Sequence, residues 1–215
     1  MPPKPRYSRE EILSTALDMV SENGMEVLTA RELANRLGTS TRPIFTAFQN
    51  MEEIRTEVRR AAMRRYDSYT QIAVDYTPAF KKFGVQMIRF AREEPKLFQL
   101  LFMSAGGEAK TFDQVFVILG DTAVMCIGLL QNDYALSYED AMLFFRHIWI
   151  HTYGIAALCA TGVCTFTEDE INDMLGQDFL AMLMRIKSGD MRAPTVHPVP
   201  KDEGIPAKEI LRHLP

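Results

Sequence analysis

The sequence predicts an all-α fold of about nine helices. Apolar residues recur at helical spacing along most of the 215 residues, and no segment shows the alternating pattern of a β-strand. Five predicted helices begin with a Ser, Thr or Asn that is followed three residues later by Glu or Asp, the pattern of an N-terminal cap. The chain is 47% hydrophobic, so it can build a sizeable core in one or two domains.

The first predicted helix begins after Ser8 and ends at Asn23-Gly24. Ser8 and Glu11 form a capping box, and Gly24 favours a helix end. The apolar positions that share one face of this helix are Ile12, Leu13, Ala16, Leu17 and Val20. We expect this helix to pack beneath the motif that follows it.

Residues 29–50, TARELANRLGTSTRPIFTAFQN, predict two short helices joined by a tight turn. Thr29 caps the first helix, and Glu32 is placed to reach back to the N–H of the cap. Gly38 supplies the turn, because glycine adopts positive φ at low cost. Two helices on a short glycine-containing turn form a helix-turn-helix. In that motif the second helix contacts base edges in the major groove of DNA.

The second helix of this pair is expected to begin at a Ser40 or Thr39 cap, with Pro43 in its first turn. A proline is tolerated there because its missing N–H has no partner within the helix. The apolar side chains of the two helices that should turn inward are Leu33, Ala34, Leu37, Ile44, Phe45 and Phe48.

The linked motifs of residues 8–58 resemble the DNA-binding unit of the TetR family of transcriptional regulators. The parts that carry the resemblance are the apolar helix from Ile12, the run at 29–40, IFTAF at 44–48 and NMEEI at 50–54. The chain has Phe45, Ala47 and Met51 where the family has tyrosine, histidine and lysine, which leaves fewer side-chain donors for phosphate. The resemblance implies a DNA-binding head, a ligand-binding and dimerisation body, and a homodimer.

Candidate DNA contacts follow from the motif. Thr41 and Arg42 are assigned to base edges, since a guanidinium pairs well with guanine O6 and N7. Pro43 is assigned to a thymine methyl group. The residues expected to position the motif on phosphates are Ser40, Phe45, Thr46 and Thr29. Arg6, in the proline-rich segment 1–7, would contact phosphate or the minor groove, or would belong to a frayed terminus that adds only solubility.

Charge is distributed unevenly along the chain. The net charge is −4, which argues against a protein that coats nucleic acid non-specifically. Residues 1–70 carry 11 Lys and Arg against 10 Asp and Glu, whereas residues 71–215 carry 13 against 18. A near-neutral head on an acidic body is compatible with a local DNA-binding surface.

A long helix is expected to link head and body. Asn50 and Glu53 cap it, and it should run from Met51 to about Asp75, on the order of 35 Å. Its arginines form a mostly solvated face. Because it is the only predicted connection, it is the natural lever between the two parts.

Five further helices are expected in the body. Thr77-Pro78 should start the first, with the threonine as cap and the proline as first helical residue, and Glu94-Pro95 should end it. Gly162 should end the fourth helix, and Thr167 with Glu170 should cap the fifth. The predicted ranges are 78–94, 97–103, 110–131, 137–161 and 167–187.

By analogy with the family, the helices of residues 51–131 would surround a ligand pocket. Thirteen methionines and thirteen phenylalanines suit an adaptable apolar cavity. The candidate lining residues are Tyr66, Phe83, Met87, Phe98, Phe102, Phe112, Phe116, Met125 and Trp149, with Tyr69 as a further polar group. The alternative is that these side chains form an ordinary core.

The segment 144–162, FFRHIWIHTYGIAALCATG, resembles a motif of TetR-like effector domains. By this analogy the helices at 137–161 and 167–187 form a four-helix bundle with their copies in a second subunit. The small residues expected to allow close approach are Gly154, Ala156, Ala157 and Ala160. A twofold dimer would set two recognition helices about 34–36 Å apart and would predict a palindromic operator.

Other functions have less support in the sequence. His147 and His151 have metal-binding spacing, but no acidic or cysteine partner is placed with them, so a structural pair is expected and no metal or cofactor. No glycine-rich phosphate loop and no nucleophile elbow points to an enzyme. No uncharged apolar run of membrane-spanning length and no signal peptide is evident, and three cysteines do not suggest disulfides, so we expect a cytoplasmic protein.

The expected organisation is a DNA-binding head at 1–50 extending to about 58, a ligand-binding and dimerisation domain at 51–189, and a proline-rich tail at 190–215, packed as a strap or disordered. The expected function is a dimeric regulator, a repressor released from a palindromic operator by a small hydrophobic or aromatic effector. Two alternatives stay open. One is an activator or corepressor-dependent regulator of the same fold. The other is a helical small-molecule-binding protein or enzyme whose head does not read DNA.

Overall fold

The all-α prediction is confirmed. A computed structural model describes residues 7–104 and 111–189, and within these ranges the chain forms ten α-helices and no β-strand. Arg6 and the tail at 190–215 lie outside the described residues. The helices are α1 Arg9–Asn23, α2 Ala30–Leu37, α3 Arg42–Ala47, α4 Met51–Gln71, α5 Ala79–Glu93, α6 Pro95–Phe98, α7 Phe112–Leu119, α8 Asp121–Tyr134, α9 Tyr138–Thr161 and α10 Glu168–Ser188. Short 3₁₀ turns occupy Met25–Val27 and Ile72–Asp75, and a π-helical turn occupies Gln99–Met103.

Helices α1 to α3 form the head around one small core. The Ser8 hydroxyl accepts from the Glu11 N–H, and the Glu11 carboxylate accepts from the Ser8 N–H, as the capping box predicts. Gly38 has a φ of 64°, which glycine adopts without strain and which turns the chain from α2 into α3. The buried side chains of this core include Ile12, Ala16, Val20, Leu28, Leu33, Ile44 and Phe48.

Three details of the head differ from the prediction. Helix α3 begins one or two residues later than a Ser40 or Thr39 cap predicts, with Thr41 in the cap position and no side-chain cap bond. Phe45 is 46% exposed rather than turned inward, since Ile44 and Phe48 already fill the core side of this short helix. Thr29 caps α2, but its own N–H donates to the Val27 carbonyl instead of to Glu32.

Helix α5 is the central helix of the body. It packs against α4, α8, α9 and α10, and its buried residues include Phe83, Met87, Ile88 and Phe90. Pro78 is the residue before the helix rather than its first helical residue, and its extended ψ of 126° fits that position. Glu94-Pro95 ends α5 as predicted, and α6 begins at Pro95.

The predicted helix at 110–131 is wrong as a single element. Its described part forms α7 and α8, which are bent by 100° to each other. Gly120 lies at the bend with φ 52° and ψ −129°, a backbone conformation that a side chain strongly disfavours. Apolar periodicity continues across the bend, so the pattern alone did not reveal it. Helix α8 also extends to Tyr134, beyond the predicted turn at Asn132-Asp133.

The last two helices have the predicted ends. The Ser137 hydroxyl accepts from the Asp140 N–H, Thr167 and Glu170 form a capping box, and Gly162 and Gly189 end the helices in the left-handed conformation. No single helix in the described ranges is long and apolar enough to cross a membrane; α7 and α8 reach that length and apolarity only when joined across their bend.

Candidate DNA-binding surface and body cavity

The exposed side of α3 brings together most of the predicted DNA contacts. Ser40, Thr41, Arg42, Phe45 and Thr46 are all exposed, and Pro43 is half-buried. The Arg42 guanidinium has no ion-pair or hydrogen-bond partner among the described residues, so its donors are free for a ligand. The Thr46 hydroxyl donates to the Arg42 carbonyl at 2.9 Å, which is a bond within the helix. The geometry therefore presents a short rigid helix with one unpaired cation at its start.

The start of α2 offers a second set of donors. The Thr29 hydroxyl accepts from the Glu32 N–H at 3.2 Å, so it acts as a cap and satisfies one of the helix's free N–H groups. Arg31, two residues further on, is exposed and has no ion-pair partner within the described ranges. Sequence reasoning missed Arg31, although a basic residue in the first turn of the motif was a visible signal for phosphate binding.

Arg9 fixes α3 against the rest of the head. Its guanidinium donates to the Ala47 carbonyl at 2.7 Å and to the Glu53 carboxylate at 2.8 Å, and it lies 4.0 Å above the centre of the Phe48 ring. The other Glu53 oxygen accepts from the Gln49 N–H at 2.6 Å. That backbone bond and the Arg9 charge hold the pKa of the Glu53 carboxyl below its usual range. These contacts of Arg9 and Glu53 join the start of α1 to the junction between α3 and α4.

The body contains an apolar cavity enclosed mainly by α4, α5, α8, α9 and α10. The volume of this cavity is about 50 Å³. Its lining residues are Tyr66, Phe80, Lys81, Phe83, Gly84, Met87, Leu119, Thr122, Cys126, Phe145, Ile148, Trp149, Thr152, Leu175 and Phe179. This volume is well below the roughly 300 Å³ or more of a pocket that holds a drug-sized molecule, so the cavity suits a small ligand or must expand for a larger one.

Four of the nine candidate lining residues reach this cavity: Tyr66, Phe83, Met87 and Trp149. Phe98 and Phe102 lie outside it, in an aromatic cluster with Tyr66 and Tyr153, while Tyr69 packs edge-to-face against Phe90 and donates to Glu93. Phe112 and Phe116 pack behind the wall, against Phe145 and Trp149. Met125, on α8, is 38% exposed and does not line the cavity. The other eleven lining residues, which lie on α5 and α7 to α10, were not foreseen.

Few of the lining residues carry polar groups: besides Trp149 and Tyr66 they are Cys126, Lys81, Thr122 and Thr152. The Trp149 Nε1–H is buried without a partner, and the Tyr66 hydroxyl bonds to no described residue. Burial raises the pKa of Tyr66 strongly, so its hydroxyl stays protonated. Burial also raises the pKa of the Cys126 thiol to about 12, which keeps it neutral and unreactive. Lys81 is the one charged side chain of the lining, and it has no ion-pair partner within the described residues.

A buried carboxylate connects the head to the body. Glu94 is 6% exposed at the junction of α5 and α6. It accepts from the Ser21 hydroxyl of α1 at 2.6 Å and pairs with Arg65 of α4. Arg59, also on α4, donates to the Leu100 carbonyl at 3.0 Å. Helix α4 is therefore bonded to the body at two positions, through Arg65 and through Arg59. The contact of Arg65 with Glu94 also involves α1, because Glu94 accepts from Ser21.

The outer faces of α9 and α10 expose large apolar side chains. Ile150 and Leu158 on α9 are 53% and 37% exposed, and Leu180 and Met184 on α10 are 59% and 71% exposed. A side chain added at Gly154 would meet no atom within 4 Å, so this part of α9 is open to close approach. Ala156 and Ala160 are buried within their own chain, because they lie on the opposite side of α9. We call Ile150, Leu158, Leu180 and Met184 the outer apolar face.

The two histidines of α9 are in different surroundings. His151 Nδ1 contacts a carboxylate oxygen of Asp178 on α10, whereas His147 is exposed. No group of three or more His, Cys, Asp or Glu side chains that could hold a metal ion occurs in the part of the chain that the structure describes.

A three-helix head that exposes one side of its third helix, α3, set on a helical body, has the architecture of a helix-turn-helix transcriptional regulator. Residues 12–58 match the family model of bacterial regulatory proteins of the tetR family. The resemblance read from the sequence is thus confirmed, and the chain carries a TetR-family head. A search of curated proteins found no match.

Solved structures share the fold over most of the chain. A TetR-like transcriptional regulator from Rhodococcus sp. RHA1 is 16% identical with a TM-score of 0.57, covering 87% of this chain and 100% of the other. The fatty acid degradation regulator FadR from Bacillus halodurans is 14% identical with a TM-score of 0.59, covering 89% and 100%. A TetR variant from Acinetobacter baumannii AYE in complex with minocycline is 15% identical with a TM-score of 0.52, covering 87% and 100%. At these identities the likeness establishes the regulator fold alone.

Proposed function

We propose that this chain is a dimeric, ligand-responsive repressor that acts in the cytoplasm on a palindromic operator. The observation that carries the proposal is the unpaired Arg42 beside Thr41 on the exposed side of α3, within a TetR-family head. A free guanidinium at the start of a recognition helix suits bidentate pairing with guanine. Thr29, Ser40, Phe45, Thr46 and the N–H groups at the start of α2 position the motif on phosphates, and Pro43 meets a thymine methyl group.

The dimer is proposed to form through α9 and α10. The outer apolar face supports this assignment, since four large apolar side chains on two neighbouring helices are costly to leave in water. Gly154 and the half-buried Ala157 let a second copy approach α9 closely. A twofold axis through this bundle gives two heads, which read two half-sites one turn of DNA apart.

The effector is proposed to bind in the body cavity and to act through α4. Tyr66 lines the cavity and lies on α4, whose first turn is bonded to the head through Glu53 and Arg9. A ligand that enlarges the small cavity would push on α4 and shift the dimer between conformations that do and do not bind DNA. Among the proteins of the same fold, one is named as a regulator of fatty acid degradation and another was solved with minocycline, which supports an organic effector here.

Selection of bound sequences from a random duplex pool, at a stated salt concentration, tests the proposal. Two short inverted half-sites in the selected sequences would support a dimeric DNA-reading regulator. Binding that is sequence-free and abolished by moderate salt would contradict it, since that is the behaviour of phosphate contacts alone. A reporter gene whose promoter carries the selected site would then show whether the protein represses or activates transcription. If expression of the reporter increases when the protein is added, the protein is an activator and the proposed repressor role is wrong.

A further inference from the structure

We propose that the effector is a small hydrophobic anion, a carboxylic acid with one aromatic ring or a short alkyl chain. Its carboxylate would lie at Lys81, and its apolar part would fill the cavity beside Trp149. The inference rests on the proposed function only in taking this cavity as the effector site.

The charge of the cavity selects the sign of the ligand. Among the residues that the structure describes, Lys81 is the only charged one in the lining, and none of the lining residues is acidic. The ammonium group lies against α10, where a side chain added at Gly176 would come within 3.2 Å of its Nζ. It therefore stands where α5 meets α10, at the edge of the cavity, without a carboxylate partner among the residues described. An unpaired ammonium beside an apolar space favours an anion and repels a cation.

The hydrogen-bonding groups select an acceptor. Lys81 and the Trp149 Nε1–H can only donate, and the Trp149 donor is buried without a partner. The Thr152 hydroxyl already donates to the Ile148 carbonyl at 2.8 Å. The unbonded hydroxyl of Tyr66 is held protonated by burial and can donate as well. A ligand with acceptor oxygens, such as a carboxylate, bonds Lys81 and Tyr66, and reaches the buried Trp149 donor once it enlarges the cavity. A protonated amine meets Lys81 with a like charge, and a pure hydrocarbon bonds none of these donors.

The walls select the rest of the ligand. Aromatic side chains enclose the space, including Phe80, Phe83, Phe145 and Phe179. Gly84 brings α5 close to its neighbours, since an added side chain there would lie 3.3 Å from Leu175 and 3.5 Å from the Thr152 hydroxyl. A space of about 50 Å³ between these walls admits one ring or a few methylene groups only when the walls move apart, and it excludes larger ligands.

Titration of the full chain with matched small molecules tests this assignment. Trp149 is the only tryptophan of the chain, so its fluorescence reports directly on the cavity. The probes are benzoate and hexanoate, their neutral amides benzamide and hexanamide, and the cation benzylamine. We expect the acids to change the fluorescence at concentrations at least about tenfold lower than their amides, because a charge-assisted hydrogen bond is lost in the amide. Benzylamine should bind least.

Two variants test whether the charge of Lys81 causes the preference for acids over amides. Lys81→Met keeps a long side chain without the charge and should make acid and amide bind with similar affinity. Lys82→Met is the matched control, since Lys82 lies over the Tyr76 ring outside the cavity, and should keep the full difference. Equal binding of acids and amides to the natural chain, or a preference for acids that survives Lys81→Met, would overturn the inference. So would the absence of any fluorescence change with all five probes.

The probe titration and the selection of DNA sites fail independently of each other. Sequence selection on DNA uses none of these probes. A palindromic site together with neutral probes that bind as well as acids would leave the regulator in place and remove only the anionic class of effector.

Discussion

At the scale of single residues, two arginines of the head differ in whether their charge is already paired. Arg9 is held between the Ala47 carbonyl and Glu53, so it stabilises the head and is not available to DNA. Arg42 has no partner in the described part of the chain and stands at the start of the recognition helix. Only the second arginine has the free donors that base reading requires.

Replacing Arg42 with alanine is therefore expected to weaken DNA binding by about 1–3 kcal/mol and to relax the base preference at one position of each half-site. Binding measurements and sequence selection at one fixed salt concentration check this. Arg64→Ala is the control, because Arg64 is an exposed arginine of α4 away from the motif, and it should leave the base preference intact. A selected site that is unchanged by Arg42→Ala would remove the assignment.

Glu53 makes the stability of the head depend on pH. Its pKa in the folded chain is held below the usual 4.5 by the Gln49 N–H and by Arg9. A carboxyl whose folded-state pKa is lowered stabilises the protein above its unfolded-state pKa, and this contribution is lost as the pH falls through the lower, folded value. Glu53→Gln should thus be less stable than the natural chain at pH 7, with the difference shrinking below pH 4.5. Urea unfolding of both chains across this range measures it, and a difference that is constant with pH would contradict the account.

Interactions between residues close together in the sequence were predictable, whereas interactions between distant residues were not. The caps at Ser8, Asn50 and Thr167 bond residues three positions away, so the sequence contains the whole interaction. The partners of Arg9 are 38 and 44 residues away, and nothing near Arg9 points to them. Phe45 was misplaced because Ile44 and Phe45 are adjacent in a six-residue helix, and apolar spacing does not tell which of the two faces the core.

At the scale of elements, the bend between α7 and α8 depends on one glycine. Gly120→Ala should destabilise the fold by about 1–3 kcal/mol, because alanine strongly disfavours a φ of 52° with a ψ of −129°. Gly128→Ala is the matched control: Gly128 lies inside α8, and an added side chain there would meet no atom within 4 Å. It should stabilise by about 0.5–1 kcal/mol. Denaturant unfolding of both variants checks the pair, and equal stability would mean that the bend tolerates a side chain.

Which lining residues of the cavity could be predicted depends on whether the sequence shows which side of each helix faces inward. Tyr66, Phe83 and Met87 lie on α4 and α5, within the region 51–131 that the analogy with the family placed around the pocket, and they reach the cavity. Phe145 and Phe179 also line it, but their helices are apolar on more than one side. Periodicity cannot choose which side of such a helix faces inward.

At the scale of the whole molecule, the outer apolar face is the proposed dimer interface. Leu180→Glu should convert the proposed dimer to a monomer, because a charge would be buried without a partner in the interface, while the 59% exposed position leaves the single chain folded. Val124→Glu is the control, at a 63% exposed apolar position on α8 outside that face. Sedimentation or light scattering gives the mass of each. A natural chain that is monomeric at micromolar concentration, or a Leu180→Glu variant that stays dimeric, would exclude this interface.

The measurement that tests the central claim most directly compares three duplexes made from the selected site: the intact palindrome, one half-site alone, and the two half-sites moved apart by five base pairs. If one dimer reads both half-sites with α3 in successive major grooves, the intact site binds at least about a hundredfold more tightly than either altered duplex, since the added half-turn rotates one half-site to the opposite side of the DNA. Equal affinity for all three duplexes would mean that the heads bind independently, and the account of a dimeric operator-reading regulator would be wrong.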